Sequence, residues 1–215
     1  MKTIIFLFYD GMTALDAIGP HIVLAHLPEV QVKHVARKAG AIQTDAMQLT
    51  LIAEHSIEDV SRADVLVVPG GGNATTLEQY PEVLEWIRAI HQTTTWTTSV
   101  CTGSLILGAA GLLQGLSATS HWAVMDRLKK WGAIPMQQRV VEAGKIITAA
   151  GVSAGIDMGL TLAAKIAGET VAKRIQLGIE YDPHPPFDCG SVAKAAPAMV
   201  QALRAAFECR FEKEK

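Results

Sequence analysis

Ser99-Val100-Cys101-Thr102-Gly103-Ser104 closes one apolar run, Trp96–Val100, and opens a stretch of helical period, Thr102–Ala110. A buried strand that gives way this abruptly to a helix of small residues predicts a strand-to-helix turn in a parallel sheet. A cysteine at that turn resembles a nucleophile elbow, in which a tight and often strained backbone holds a reactive side chain above the sheet. Such a thiol also faces a helix N-terminus, whose unpaired N–H groups favour thiolate, so Cys101 is expected to ionise more readily than an ordinary cysteine. The alternative is that Cys101 is an inert apolar filler.

Outward from the turn the same pattern repeats. Ile4–Tyr9, Val30–Ala36 and Val65–Val68 are short apolar runs that end in Gly-rich or polar turns. Helical period covers Thr13–His26, Pro81–Gln92, Trp122–Trp131, Ser153–Ala167, Glu169–Ile179 and Ala195–Phe207. Val140–Glu142 and Lys145–Ala149, joined by Ala143-Gly144, predict a hairpin, and further short strands are expected near Ala41–Leu51. The fold class is therefore α/β, a mostly parallel sheet between helices, with residues 1–215 expected to form one domain. The Pro-rich Asp182–Phe187 segment cannot be regular helix and is expected as an ordered surface loop.

Composition bounds the function. Of 215 residues 49% are hydrophobic and 19% charged, with a net charge of −2, so no polyelectrolyte excess points to nucleic acid. The apolar run at Ile4 is cut at Asp10 with no cleavage site after it, and no run approaches the roughly 20 residues that span a bilayer. A cytoplasmic protein without a membrane partner is expected. Cysteines 101, 189 and 209 show no C-x-x-C or other metal spacing. Free thiols in a reducing compartment, and no metal, are the corresponding expectations.

In sheets of this kind ligands bind outside the carboxyl ends of the strands, and three further features lie there. Val67-Val68-Pro69-Gly70-Gly71-Gly72-Asn73 lacks the spacing of a phosphate or dinucleotide loop, so Gly71 and Gly72 are read as backbone donors to a substrate or oxyanion; a plain tight turn is the alternative. Asp16, in Asp10-Gly11-Met12-Thr13-Ala14-Leu15-Asp16, stands three residues after Thr13. That spacing fits a capping box, yet a carboxylate so close to the sheet edge also fits a proton-transfer role beside Cys101. His121 in Ala118-Thr119-Ser120-His121-Trp122 is the best-placed histidine to serve Cys101 or a substrate, or it caps a helix.

Together Phe8–Asp16, Val68-Pro69-Gly70-Gly71-Gly72, Val100-Cys101-Thr102-Gly103, Ala118–Trp122 and Val152-Ser153-Ala154-Gly155-Ile156-Asp157 resemble the ThiJ/PfpI superfamily, in order over nearly the whole chain. The resemblance implies a flavodoxin-like three-layer sandwich, the elbow cysteine as reactive centre, and a homodimer. The intracellular proteases of the superfamily carry a histidine directly after the cysteine; Thr102 in that place argues against peptidase activity. The deglycase-like members have a glutamate near the first strand, where Asp16 stands here. With Tyr181-Asp182-Pro183-His184-Pro185-Pro186-Phe187-Asp188 near the end, the pattern is most similar to the isonitrile hydratase branch. That similarity implies cofactor-independent hydration of a small-molecule isonitrile to an N-substituted formamide. Cys101 would be the nucleophile of a covalent thioimidate, Asp16 the general acid/base and Thr102 an essential neighbour. Two other readings stay open: a glyoxalase or deglycase acting on reactive aldehydes, and a cysteine-based redox or ligand sensor like the sensor domains of AraC-type regulators. Those regulators continue into a DNA-binding region, whereas this sequence ends at Lys215.

Overall fold

Ile4 to Phe8 are buried without interruption, as a strand covered on both faces requires, and they form the centre of β1 (Lys2–Phe8). The computed structural model describes residues 1–45, 49–72 and 74–213. After β1 come α1 (Ala14–Leu24), β2 (Val30–Ala36), β3 (Gly40–Gln43), β4 (Thr50–Ala53), β5 (His55–Ser56) and β6 (Val65–Val68). A 3-10 helix, Ala74–Gln79, then leads to α2 (Pro81–Thr93), β7 (Trp96–Val100), α3 (Gly103–Ala109) and β8 (Ser117–Ala118). A second 3-10 helix, Trp122–Trp131, precedes β9 (Ile134–Pro135), β10 (Val140–Ala143), β11 (Ile146–Ala149), α4 (Ala154–Ala167), α5 (Glu169–Gly178) and α6 (Pro197–Lys213).

The main sheet has the order β10-β11-β7-β6-β1-β2-β5. Every neighbouring pair is parallel except the β10–β11 hairpin at one edge. From β1 the chain builds outward through β2 to β5, then returns to β6 on the other side of β1 and builds outward again. The crevice at this switch in direction, beyond the carboxyl ends of β1 and β6, is where such folds bind ligands. The expected α/β class holds, and helices cover the sheet: α1 packs with α4, and α4 with α5.

Element ends differ from the sequence reading by a few residues, as helix ends commonly do. Two differences have physical causes. Trp122–Trp131 is wound as 3-10 rather than α-helix, and the apolar pattern fits either winding, because both bring residues three apart onto one face. The last helix starts at Pro197, a residue suited to a first turn, rather than at Ala195, and runs on to Lys213. The strands expected near Ala41–Leu51 are the separate β3–β4 pair; residues 46–48 lie outside the described residues. The 182–194 segment is exposed throughout, as expected of a Pro-rich loop. No helix among the described residues is long and apolar enough to cross a membrane.

Candidate active site

Cys101 follows the last residue of β7 and has φ +58°. A non-glycine residue in the left-handed region stores about 1–3 kcal/mol of strain and persists only where its surroundings over-determine it. Here they do. The Cys101 N–H is shared between the carbonyls of Ala149 (3.1 Å), the last residue of β11, and Ala150 (3.0 Å) just after it, and its carbonyl accepts from Ser120 Oγ (3.0 Å) and Ser104 Oγ (3.2 Å). The elbow inferred from the sequence is therefore real, pinned by three neighbouring segments.

The thiol is buried, 4% of the residue being exposed. Backbone N–H groups of Thr102, just ahead of α3, and Val152, just ahead of α4, hydrogen-bond to it and favour the thiolate. The Thr102 donor is the helix-end group that the sequence predicts, and the Val152 donor joins it from a distant segment, but the two do not win. Burial pushes the Cys101 thiol well above its ordinary range, and the neighbouring Asp16 charge pushes it further. The expectation of an unusually acidic thiol in the free protein is corrected accordingly: desolvation outweighs two amide dipoles.

Asp16 lies on the first turn of α1 and is fully buried. Its Oδ2 accepts from Gly70 N–H at 3.0 Å, and its carboxyl hydrogen-bonds with the Cys101 thiol, although Oδ1 makes no bond of good geometry. Burial raises this carboxyl from 3.8 to about 7; the Gly70 and Cys101 bonds counter that in part, and Asp45 adds to it. The capping box does not form. Thr13 occupies the N-cap without a side-chain cap bond, its hydroxyl lying 2.6 Å from Asp45 Oδ2 instead. Asp16 is thus turned inward to the thiol, and its burial as a carboxyl without a cation partner is unexplained by helix capping.

The Gly-rich turn supplies the link between these residues, in a different way from that expected. Gly71 was expected to aim its N–H at a substrate, yet that N–H bonds to Thr102 Oγ1 at 2.8 Å, while the same hydroxyl donates to Gly71 O at 2.8 Å. The amide is committed and is not a free oxyanion donor. The Thr102 hydroxyl in turn bonds to Gly71 on both its N–H and carbonyl sides and so clamps the turn. Gly70, passed over in the sequence, faces Asp16. A Cβ on Gly70 would lie 2.5 Å from Thr102 N and Oγ1 and 2.9 Å from Asp16 Oδ2, so only glycine fits. Thr13 N–H to Gly70 O (2.8 Å), a bridge between Met12 and Gly71, and Tyr9 OH to Pro69 O (3.1 Å) tie the turn to the loop after β1. Gly72 follows, half-buried; Asn73 lies outside the described residues.

His121 stands at the start of the 3-10 helix that follows Ser120, and its Nδ1 accepts from Ala123 N–H at 3.3 Å. Burial lowers it from 6.5 to about 4, so it is neutral near pH 7 with its proton on Nε2. It therefore caps the 3-10 helix through Nδ1 and carries no charge near pH 7. The Asp182–Phe187 loop does not close over the cysteine: Phe187 is 75% exposed. Of the residues singled out in the sequence, the structure brings Cys101, Asp16, Thr102 and Gly71 into one connected cluster. It adds Gly70, Val152 and Ser120, which act through backbone or supporting bonds that carry no sequence signal of their own. The free cysteines 189 and 209 are exposed and stand apart in the C-terminal segment.

The sequence model of the DJ-1/PfpI family matches residues 1–165. Isonitrile hydratase of Pseudomonas putida is 45% identical over 199 residues, 93% of this chain and 87% of that protein. The helix-turn-helix transcriptional regulator CdhR of Pseudomonas aeruginosa is 28% identical over 144 residues, 66% of this chain and 43% of the regulator. Among solved structures, a ThiJ/PfpI family protein from Pseudomonas syringae superposes with a TM-score of 0.95 at 37% identity, covering 99% of this chain and 88% of that one.

Proposed function

The chain belongs to the DJ-1/PfpI family, and we propose that it is an enzyme that hydrates isonitriles to N-substituted formamides through Cys101 and Asp16, without a cofactor. The observation that carries this reading is the buried thiol–carboxyl pair, with the carboxyl raised to about 7. A pair so placed holds one proton between two atoms near neutral pH, as thiol and carboxylate or as thiolate and carboxylic acid. An isonitrile needs both members of the second form, because its terminal carbon accepts a proton and then a nucleophile.

The steps balance without an oxidant or reductant. Asp16 gives its proton to the isonitrile carbon, and the Cys101 sulfur forms a bond to that same carbon, leaving a thioimidate, RN=CH–S–Cys101, and an Asp16 carboxylate. Water adds to the imidate carbon; Asp16 takes one of its protons and passes it to nitrogen. The resulting RNH–CH(OH)–S–Cys101 collapses as the C–S bond breaks, sulfur keeping the electron pair and the hydroxyl proton returning to the Cys101–Asp16 pair. RNH–CHO leaves. The N–H groups of Val152 and Thr102 face the sulfur in both anionic stages, and hydrogen bonds to charged atoms are worth about 1.5–3 kcal/mol each. Thr102 acts by holding Gly71, and hence the Gly70 amide, against Asp16.

The 45% identity to an isonitrile hydratase supports the substrate class. Incubation with a simple alkyl isonitrile, with methylglyoxal in parallel, tests it. Stoichiometric N-alkylformamide is expected; consumption of methylglyoxal alone would transfer the same pair to aldehyde chemistry. The proposed assembly is a homodimer. Leu15, Ile18 and Ile22, spaced at three and four along α1, are 41%, 40% and 42% exposed and form an apolar stripe suited to a second copy. Light scattering at micromolar protein checks this, and a concentration-independent monomer with full activity would contradict it.

A further inference from the structure

We propose that Arg139 is a positioning residue for Cys101: it grips the 150–153 turn on both sides of Val152 and so fixes the Val152 N–H against the sulfur. Of the two N–H groups that favour the thiolate, that of Thr102 comes with the elbow itself, whereas that of Val152 must be brought in from just ahead of α4. There Val152 has φ +32°, in the left-handed region that a β-branched residue seldom enters. A residue so placed stays only where its neighbours are held. Arg139 stands just before β10, and its carbonyl accepts from Ala150 N–H at 2.9 Å; the Ala150 carbonyl in turn accepts from Cys101 N–H at 3.0 Å. Beyond Val152, Arg139 Nη2 donates to Ser153 Oγ at 3.2 Å and Nε to Asp157 Oδ2 at 2.6 Å. One residue thus holds the turn two positions before Val152 through its backbone, and one and five positions after it through its side chain.

Ser153 occupies the N-cap of α4, where a serine hydroxyl ordinarily bonds to the first N–H groups of its own helix. Here it makes no such bond, and the hydroxyl is taken up by Arg139 instead. Asp157, in the first turn of α4, is held from a second direction by Tyr181 OH, 3.3 Å from each of its oxygens. The two side-chain bonds of Arg139 use the planar fork of a guanidinium, which reaches two acceptors at fixed angles as an ammonium does not. As a source of stability the ion pair counts for little, because the Arg139 and Asp157 side chains are 52% and 32% exposed. Its effect is on orientation. A second tie between the same parts of the chain, Lys165 Nζ to Glu142 Oε2 at 2.8 Å, joins β10 to the last turn of α4, far along the helix from Val152, and serves as the comparison.

The inference rests on Cys101 as the reactive thiol of the proposed function, yet it is measured without a substrate. Iodoacetamide labelling of the intact folded protein at one fixed pH, read by peptide mass spectrometry, gives the rate at Cys101 separately from those at the exposed Cys189 and Cys209. The Cys101 rate follows its thiolate fraction. Arg139→Met is expected to slow it about tenfold, the loss of one hydrogen bond to a charged atom, while Cys189 and Cys209 label as before. Ser153→Ala removes one anchor and no helix cap, and should slow it about threefold; Arg139→Lys should fall between Arg139→Met and wild type. Lys165→Met should label Cys101 at the wild-type rate. Unchanged or faster labelling in Arg139→Met would overturn the proposal, the faster rate because it marks an opened turn rather than a lost donor. Equal slowing by Lys165→Met would overturn it too, as a general loosening of α4. A protein that labels as expected but makes no formamide would refute the substrate reading and uphold this one.

Discussion

Replacing Asp16 with asparagine should make this protein more stable at alkaline pH while removing its activity. The argument follows from where the carboxyl sits. Folded, it titrates at about 7; unfolded, it returns to its ordinary 3.8. A group that binds its proton more tightly in the fold stabilises the fold when protonated. That contribution is full below about pH 4 and is lost as pH rises through about 7. At about 1.4 kcal/mol per pH unit the loss is about 4 kcal/mol. Asparagine keeps an oxygen for the Gly70 N–H and has no proton to lose. The stability difference between variant and wild type should therefore grow by up to 4 kcal/mol, roughly 10 °C in Tm for a chain of this size, between pH 4.5 and pH 8. Exposed carboxylates whose pKa is lowered, such as Glu54, Asp59 and Glu169, act with the opposite sign, but they are common to both proteins and cancel. Guanidinium unfolding at fixed protein concentration across that range is the assay. A difference that does not change with pH would refute the buried, high-pKa carboxyl.

Three further outcomes follow from the same geometry. Thr102→Val strips the buried Gly71 N–H and carbonyl of their partner and should cost about 1–3 kcal/mol for each group left unpaired, with a fall in kcat; Thr102→Ser restores the hydroxyl and should recover most of both in parallel unfolding and turnover assays. Gly70→Ala puts a methyl 2.5 Å from Thr102 and 2.9 Å from the Asp16 carboxyl, so a loss of about 1–3 kcal/mol is expected in thermal unfolding. The pH profile of kcat/KM should rise through one ionisation near 7, as the Cys101–Asp16 pair sheds the first of its two protons, and then hold a plateau because the thiol is pushed up.

Much of this site is legible in the sequence because it is built on turns. The central strands β1 and β6 announce themselves as apolar runs, whereas β2 and β7 carry polar residues between their apolar ones, and the elbow shows as the point where Val100 gives way to Cys101-Thr102-Gly103. Asp16 is visible as a carboxylate at the sheet edge, but Thr13-Ala14-Leu15-Asp16 reads equally well as a capping box; only the inward rotation of α1 decides between them. What the sequence cannot display is competition between energies and between backbone groups. Amide donors to Cys101 are implied by a strand-helix junction, whereas the depth of burial that overrides them is a property of the finished core. Three consecutive glycines say that a backbone approaches something closely. They do not say that Gly70 serves Asp16 while Gly71 is spoken for by Thr102. The Val152 amide comes from a segment about 50 residues beyond Cys101, and no local pattern reports such a contact.

The most direct test of the account is capture of the intermediate. Wild-type protein mixed with excess alkyl isonitrile and quenched within a turnover should carry the full mass of one isonitrile on the peptide containing Cys101, absent from Cys101→Ala, while N-alkylformamide accumulates in solution. Formamide produced at an undiminished rate by Cys101→Ala, or an adduct confined to Cys189 or Cys209, would contradict nucleophilic catalysis at the elbow.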